Sequence, residues 1–236
     1  MFVNYGLYVV ALIILQWLSC FPVDPQPYHL SGSPRLQCRG MVPVTDPVEG
    51  YREAIHLTWT YGESGQPVHT YTLLRRFTSD SVFDVFSRSR QIPGDTMHFY
   101  DILENQVYPV NGIDSVQYRI FAVDTLGRSS DTSDACTFLL APQPVFSLYD
   151  PSTRCFNWES WIRGGSTSWA VVFPAGEGRE WTSPRRDDFP FTNEPARFSA
   201  CIPDSMNTGS GEQWYIALYL RANEAWSLLL EAIDAP

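Results

Sequence analysis

The chain reads as an all-β fold of two β-sandwiches in tandem, and three observations predict it. Apolar residues recur at every second position through short segments, and the clearest stripe is Val116, Tyr118, Ile120 and Ala122. Gly and Pro are frequent, at 15 and 18 residues, and they separate these segments with turn-forming clusters. At 236 residues, less a leader, the chain has room for two domains of about 100 residues each.

In chain order, residues 36–44 form the first strand, with Pro43 and Pro47 keeping it at a sheet edge. Residues 54–61 make the second, with Ile55, Leu57 and Trp59 on one face. GESGQP (62–67) is a turn cluster, and HTYTLLRR (69–76) follows as a strand with Tyr71 and Leu73 inward. Residues 81–88, carrying Val82, Phe83, Val85 and Phe86, are expected as a weaker strand. TMHFYDI (96–102) supplies the next, followed by a long loop (104–115) and then the stripe beginning at Val116. That strand runs into a turn at Leu126-Gly127 and leaves through a Ser/Thr/Asp-rich segment.

The Leu57-x-Trp59 pattern, and Tyr118-x-Ile120-x-Ala122 followed by a turn with Gly127 and Ser129, resemble the fibronectin type III domain. The resemblance covers residues 43–142. It implies an immunoglobulin-like sandwich and a non-catalytic role in spacing, adhesion or docking. In that family a tyrosine six residues before the alanine pins a corner. Here that position holds Val116, so the corner hydrogen bond is missing or remade by Tyr108.

APQP (141–144) is a short proline linker, so the first domain is set at 35–141 and a second, divergent fibronectin type III-like domain at 145–236. In the second, residues 145–149, 155–158 (CFNW), 168–173 (SWAVVF), 179–183 and 197–202 are successive strands. QWYIALYLR (213–221) follows with Trp214, Ile216, Leu218 and Leu220 inward, and Trp214 takes the corner position. Residues 225–233 close the domain, with Trp226, Leu228 and Leu230 expected to face its core.

Residues 1–23 carry no charged side chain, and 7–18 are a continuous apolar run ending at Leu18-Ser19-Cys20. Residues 1–20 resemble a lipoprotein signal, in which Cys20 is the acylated residue. A cleaved secretory signal and an uncleaved helical anchor are the other two readings. All three place the rest of the chain outside the cytoplasm, on the surface or the periplasmic side of a membrane. Residues 21–34, with four prolines, then read as an extended tether.

Four cysteines remain: Cys38, Cys136, Cys155 and Cys201. An even number in an exported chain favours disulfides. Three connectivities are possible, and pairing within each domain is the economical one. Given the resemblance, Cys155 and Cys201 also share the outer face of neighbouring strands. Free buried thiols are the alternative. No CxxC or HxH spacing suggests a metal, and no cofactor is expected.

The net charge of −10 is spread over both halves, so nucleic acid is not an expected partner. All 16 basic residues are arginine. No G-x-S-x-G, H-E-x-x-H or phosphate-cradling loop occurs, and the chain is read as a non-enzyme. His56 and His69 alternate outward on strands, as solvated histidines do. The functional promise lies in aromatic excess: six of eight tryptophans (Trp158, Trp161, Trp169, Trp181, Trp214, Trp226) lie beyond residue 157. Strand parity assigns Trp158, Trp169, Trp214 and Trp226 to the core. Trp161, Trp181, Tyr215 and Tyr219, the tyrosines beside Val172, form the candidate contact surface for a protein partner, or for a glycan.

Overall fold

The structure is a computed structural model that describes residues 30–47, 50–62, 67–86, 89, 91–103, 108–109, 112–160, 166–175, 180–187, 195–206 and 213–233. The leader with Cys20, most of the tether, and Trp161 lie outside the described residues.

The first sandwich is built from β1 (Arg35–Asp46), β2 (Gly50–Thr60), β3 (Val68–Phe77), β4 (Ile92–Pro93), β5 (His98–Ile102), β6 (Asp114–Asp124) and β7 (Cys136–Leu140). The second contains β8 (Val145–Asp150), β9 (Cys155–Ser160), β10 (Ser166–Pro174), β11 (Trp181–Thr182), β12 (Ala196–Cys201), β13 (Trp214–Ala222) and β14 (Ala225–Ile233). Sheet β1-β2-β5 faces β7-β6-β3-β4, and β12-β9-β8 faces β11-β10-β13-β14. This is the expected all-β pair of immunoglobulin-like sandwiches.

Alternation builds the first core. Ile55, Leu57 and Trp59 of β2 meet Val116, Tyr118, Ile120 and Ala122 of β6 in one buried cluster. Trp59 also packs edge-on against Tyr71, the ring centroids being 5.3 Å apart. Within that core sits one polar group set. The Tyr118 hydroxyl donates to the Asp101 carboxylate at 2.6 Å, and Arg75 Nη1 donates to both carboxylate oxygens at 2.9 Å. A buried carboxylate is tolerated because these partners are donors. Cys38 is bonded to Cys136, joining β1 to β7, and Cys155 to Cys201, joining the paired strands β9 and β12. The loops they close span 98 and 46 residues, worth about 4–5 kcal/mol each in chain entropy.

Several expectations need correcting. Among the described residues of 81–88, only Asp84 bridges to Arg75; no strand forms, and β4 lies further on. The apolar residues there come in adjacent pairs rather than alternating, and Phe83 is held instead beneath the guanidinium groups of Arg76 and Arg119, both at 4.7 Å. Tyr108 does not remake the corner. Its hydroxyl donates to Met41 Sδ at 3.7 Å, while Val116 is wholly buried. Trp214 makes no corner bond either, since its buried Nε1 has no partner.

The two inner sheets are continuous. A parallel contact at Trp226 and Leu140 joins β14 to β7, giving one eight-stranded sheet, β11-β10-β13-β14-β7-β6-β3-β4. The linker is sewn to β14: Ala141 N–H donates to the Trp226 carbonyl at 2.9 Å, Ser227 Oγ to the Pro142 carbonyl at 2.9 Å, and Gln143 Nε2 to the Leu228 carbonyl at 3.0 Å.

Tyr118→Phe tests the buried triad. Removing the hydroxyl leaves Asp101 short of a donor, and urea unfolding should show a loss of about 1.5–3 kcal/mol.

Candidate functional site

The expected contact surface divides into two places. Tyr215 and Tyr219 lie on the outer face of β13, but that face is taken by the first sandwich. Trp169, Val171 and Phe173 of β10 and Trp226, Leu228 and Leu230 of β14 share it, and several of them pack into the first sandwich's core cluster. This corrects four sequence expectations. Trp169 and Trp226 face the first sandwich, as do Leu228 and Leu230, whereas Val172 and Leu229 pack into the second core. The segments WAVVF and LLL are apolar at both parities, so alternation alone has no preferred phase there.

From the first sandwich, Met41 and Pro43 of β1 and Tyr51 and Glu53 of β2 meet this face. The Tyr51 ring lies 5.0 Å from both Phe173 and Tyr215. Trp169 and Tyr219 stack at 4.9 Å with their planes 2° apart. Glu53 Oε1 accepts the Leu230 N–H at 3.1 Å. Gly50 permits the approach: it sits at φ +80°, and a Cβ there would lie 2.7 Å from Tyr215 Oη. Burial, aided by the Glu180 carboxylate, pushes the Tyr219 hydroxyl up to about 12. Sequence reasoning missed Gly50, Tyr51 and Glu53. The available signal was that Tyr51 and Glu53 extend the parity of Ile55, Leu57 and Trp59 toward the start of the strand.

Trp181 lies elsewhere. It is half-buried on β11, 6.5 Å edge-on from Phe156, at the open side of the second sandwich. There Trp158, Trp181, Ser183, Arg186 and β12 line a cavity of about 570 Å³. Arg186 and Arg197 are exposed at its rim, the latter paired with Glu159 at 2.8 Å.

A third feature is the outer face of β1-β2-β5. His56 stacks on Tyr100 at 4.8 Å, and His98 lies 6.4 Å from His56 and 5.5 Å from Tyr100. Arg39 Nε donates to Thr58 Oγ1 at 2.9 Å beside them. Burial lowers the His56 pKa, and the neighbouring His98 and Arg39 lower it further. His56 is thus half-buried in an aromatic stack rather than freely solvated, whereas His69 is exposed. Among the described residues no three His, Cys, Asp or Glu side chains converge to hold a metal, and no helix is long and apolar enough to cross a membrane.

No protein-family model and no curated protein matches the chain. Among solved structures it is similar to the FN1–FN3 domains of chicken CNTN1, with 18% identity over 86% of this chain and 68% of that one, at a TM-score of 0.32. It is also similar to a two fibronectin type III domain segment of chicken tenascin, with 12% identity over 84% of this chain and 98% of that one, at a TM-score of 0.26.

Two predictions concern the contact between sandwiches. Gly50→Ala should cost about 1–3 kcal/mol from the positive φ alone, plus the clash with Tyr215. In a double-mutant cycle with Tyr215→Phe, the clash should appear as a coupling energy that shrinks the combined cost. Burial, and then the Glu53 carboxylate, hold the Glu231 carboxyl above its ordinary 4.5. The folded chain therefore binds this proton more tightly than the unfolded chain does. The resulting stability is complete below the unfolded value and is lost as pH rises through the raised one. Thermal midpoints of wild type and Glu231→Gln should accordingly diverge in the variant's favour as pH rises from 4 to 7.

Proposed function

We propose that this chain is a non-catalytic extracytoplasmic module that holds or docks protein partners in a surface or cell-envelope assembly. In this reading residues 35–141 and 145–236 are its two working domains, carried on the tether 21–34 and anchored to a membrane through acylated Cys20. The observation that carries it is the joined construction: two disulfide-braced sandwiches share one sheet and a sewn linker, which suits a stiff spacer presenting fixed surfaces. Disulfides persist in oxidising compartments, which supports a location outside the cytoplasm. With Tyr215 and Tyr219 occupied internally, the contact role falls to Trp181 and its groove, with Trp161 as a second candidate.

A carbohydrate-binding role is the alternative, favoured by a half-exposed tryptophan in an open groove. Chemical crosslinking and co-purification from native membranes should capture a protein partner, and Trp181→Ala should weaken that capture. Retention of the wild type on a neutral polysaccharide, lost in Trp181→Ala, would favour sugar instead. Mass spectrometry of the mature N-terminus should find a diacylated or triacylated Cys20, and an intact Met1 would refute the lipid anchor.

A further inference from the structure

The outer face of β1-β2-β5 brings Arg39, His56 and His98 together in a chain whose net charge is −10. Carboxylates outnumber bases 26 to 16 in the sequence, so a basic cluster would be expected to recruit one. None does. Ion pairs among the described residues include Arg75 with Asp101, Arg128 with Asp124, Arg154 with Asp204 and Arg197 with Glu159. The groups acting on His56 are Arg39 from β1 and His98 from β5, both of which disfavour its proton, with the Tyr100 ring of β5 stacked on it. Three donors that repel one another and lack a counter-charge are stabilised together by an anion placed among them.

The surroundings narrow the class of anion. Gln37, Thr60 and Tyr100 are exposed on the same sheet face, and Thr58 is half-buried between Arg39 and His98. These are hydroxyl and amide groups on a flat surface. A protein interface needs an apolar centre that can be fully desolvated; around Arg39, His56 and His98 the exposed side chains are polar, and the apolar Val42, Ala54 and Ile102 of this face lie further along it. A polar polymer with repeating charges needs no such centre. We propose that this face of the first sandwich binds the carboxylate or sulfate groups of an acidic polysaccharide. Arg39 supplies the constant charge. Burial, His98 and Arg39 disfavour the proton on His56, and an anion among the three offsets that, so binding strengthens as His56 gains its proton on acidification. This site is separate from the Trp181 groove and stands whether or not that groove docks a protein.

Retention of the full chain on immobilised dextran sulfate at pH 5.5, beside uncharged dextran and poly-glutamate, tests it. The carboxylate excess makes the chain as a whole repel such a matrix, so retention must be local. The expected result is binding to dextran sulfate alone, released as the pH is raised to 8. Arg39→Gln should weaken it roughly tenfold, and His98→Gln, which removes a second donor, should weaken it too. Both side chains are exposed, and equal thermal midpoints would show that the variants are folded. Absence of retention at pH 5.5, or retention that both substitutions leave unchanged, would overturn the proposal. Equal binding to poly-glutamate would overturn it in favour of an acidic polypeptide.

Discussion

Three strands of the second sandwich must bury both of their faces, and much of the architecture depends on that constraint. In β10, β13 and β14 one parity (Ala170, Val172, Ile216, Leu218, Leu220, Leu229) fills the second core. The other parity (Trp169, Phe173, Tyr215, Tyr219, Trp226, Leu228) would leave a large apolar surface in water if the sandwich stood alone. The first sandwich covers it. In most proteins a relative orientation of neighbouring domains is a weak preference, because the contact between them is small and polar. Here the contact is aromatic and continuous with the first domain's own core, and the linker's backbone groups are hydrogen-bonded to β14.

The same constraint explains where sequence reasoning succeeded and where it slipped. Alternation locates a strand's inner face when the other face is polar, as in IHLTW, where His56 and Thr58 separate Ile55, Leu57 and Trp59. Economy of pairing within each domain predicted Cys38–Cys136 and Cys155–Cys201, and alternation found the F-like strand of each half with its inward residues. It failed at LLL and WAVVF because a strand buried on both sides has no phase to read. The tyrosines of β13 were correctly placed on an outer face, yet "outer" to one sandwich proved to be inner to the pair. Only a feature of the opposite partner signals this, namely Gly50 at positive φ giving way to the Tyr215 hydroxyl. Such a relation joins residues 165 positions apart and leaves no local trace in the sequence.

Charge placement follows a second rule that composition alone did not explain. Of the arginines described, Arg75 lies over Phe77 and Phe86, Arg76 and Arg119 over Phe83, Arg185 over Trp169 and Arg221 over Trp226. A planar guanidinium can lie flat on a ring while its N–H edges stay hydrogen-bonded, as Arg75 does with Asp101. Lysine offers a strongly hydrated point charge and no such plane. An arginine-only composition is therefore compatible with what these positions require, whatever its origin. Arg39 does not follow this pattern. Its neighbours are a hydroxyl and two imidazoles, with neither an aromatic face of its own nor a carboxylate. An arginine beside two histidines, with no carboxylate among the groups acting on them, has its balancing charge still to come from outside the chain.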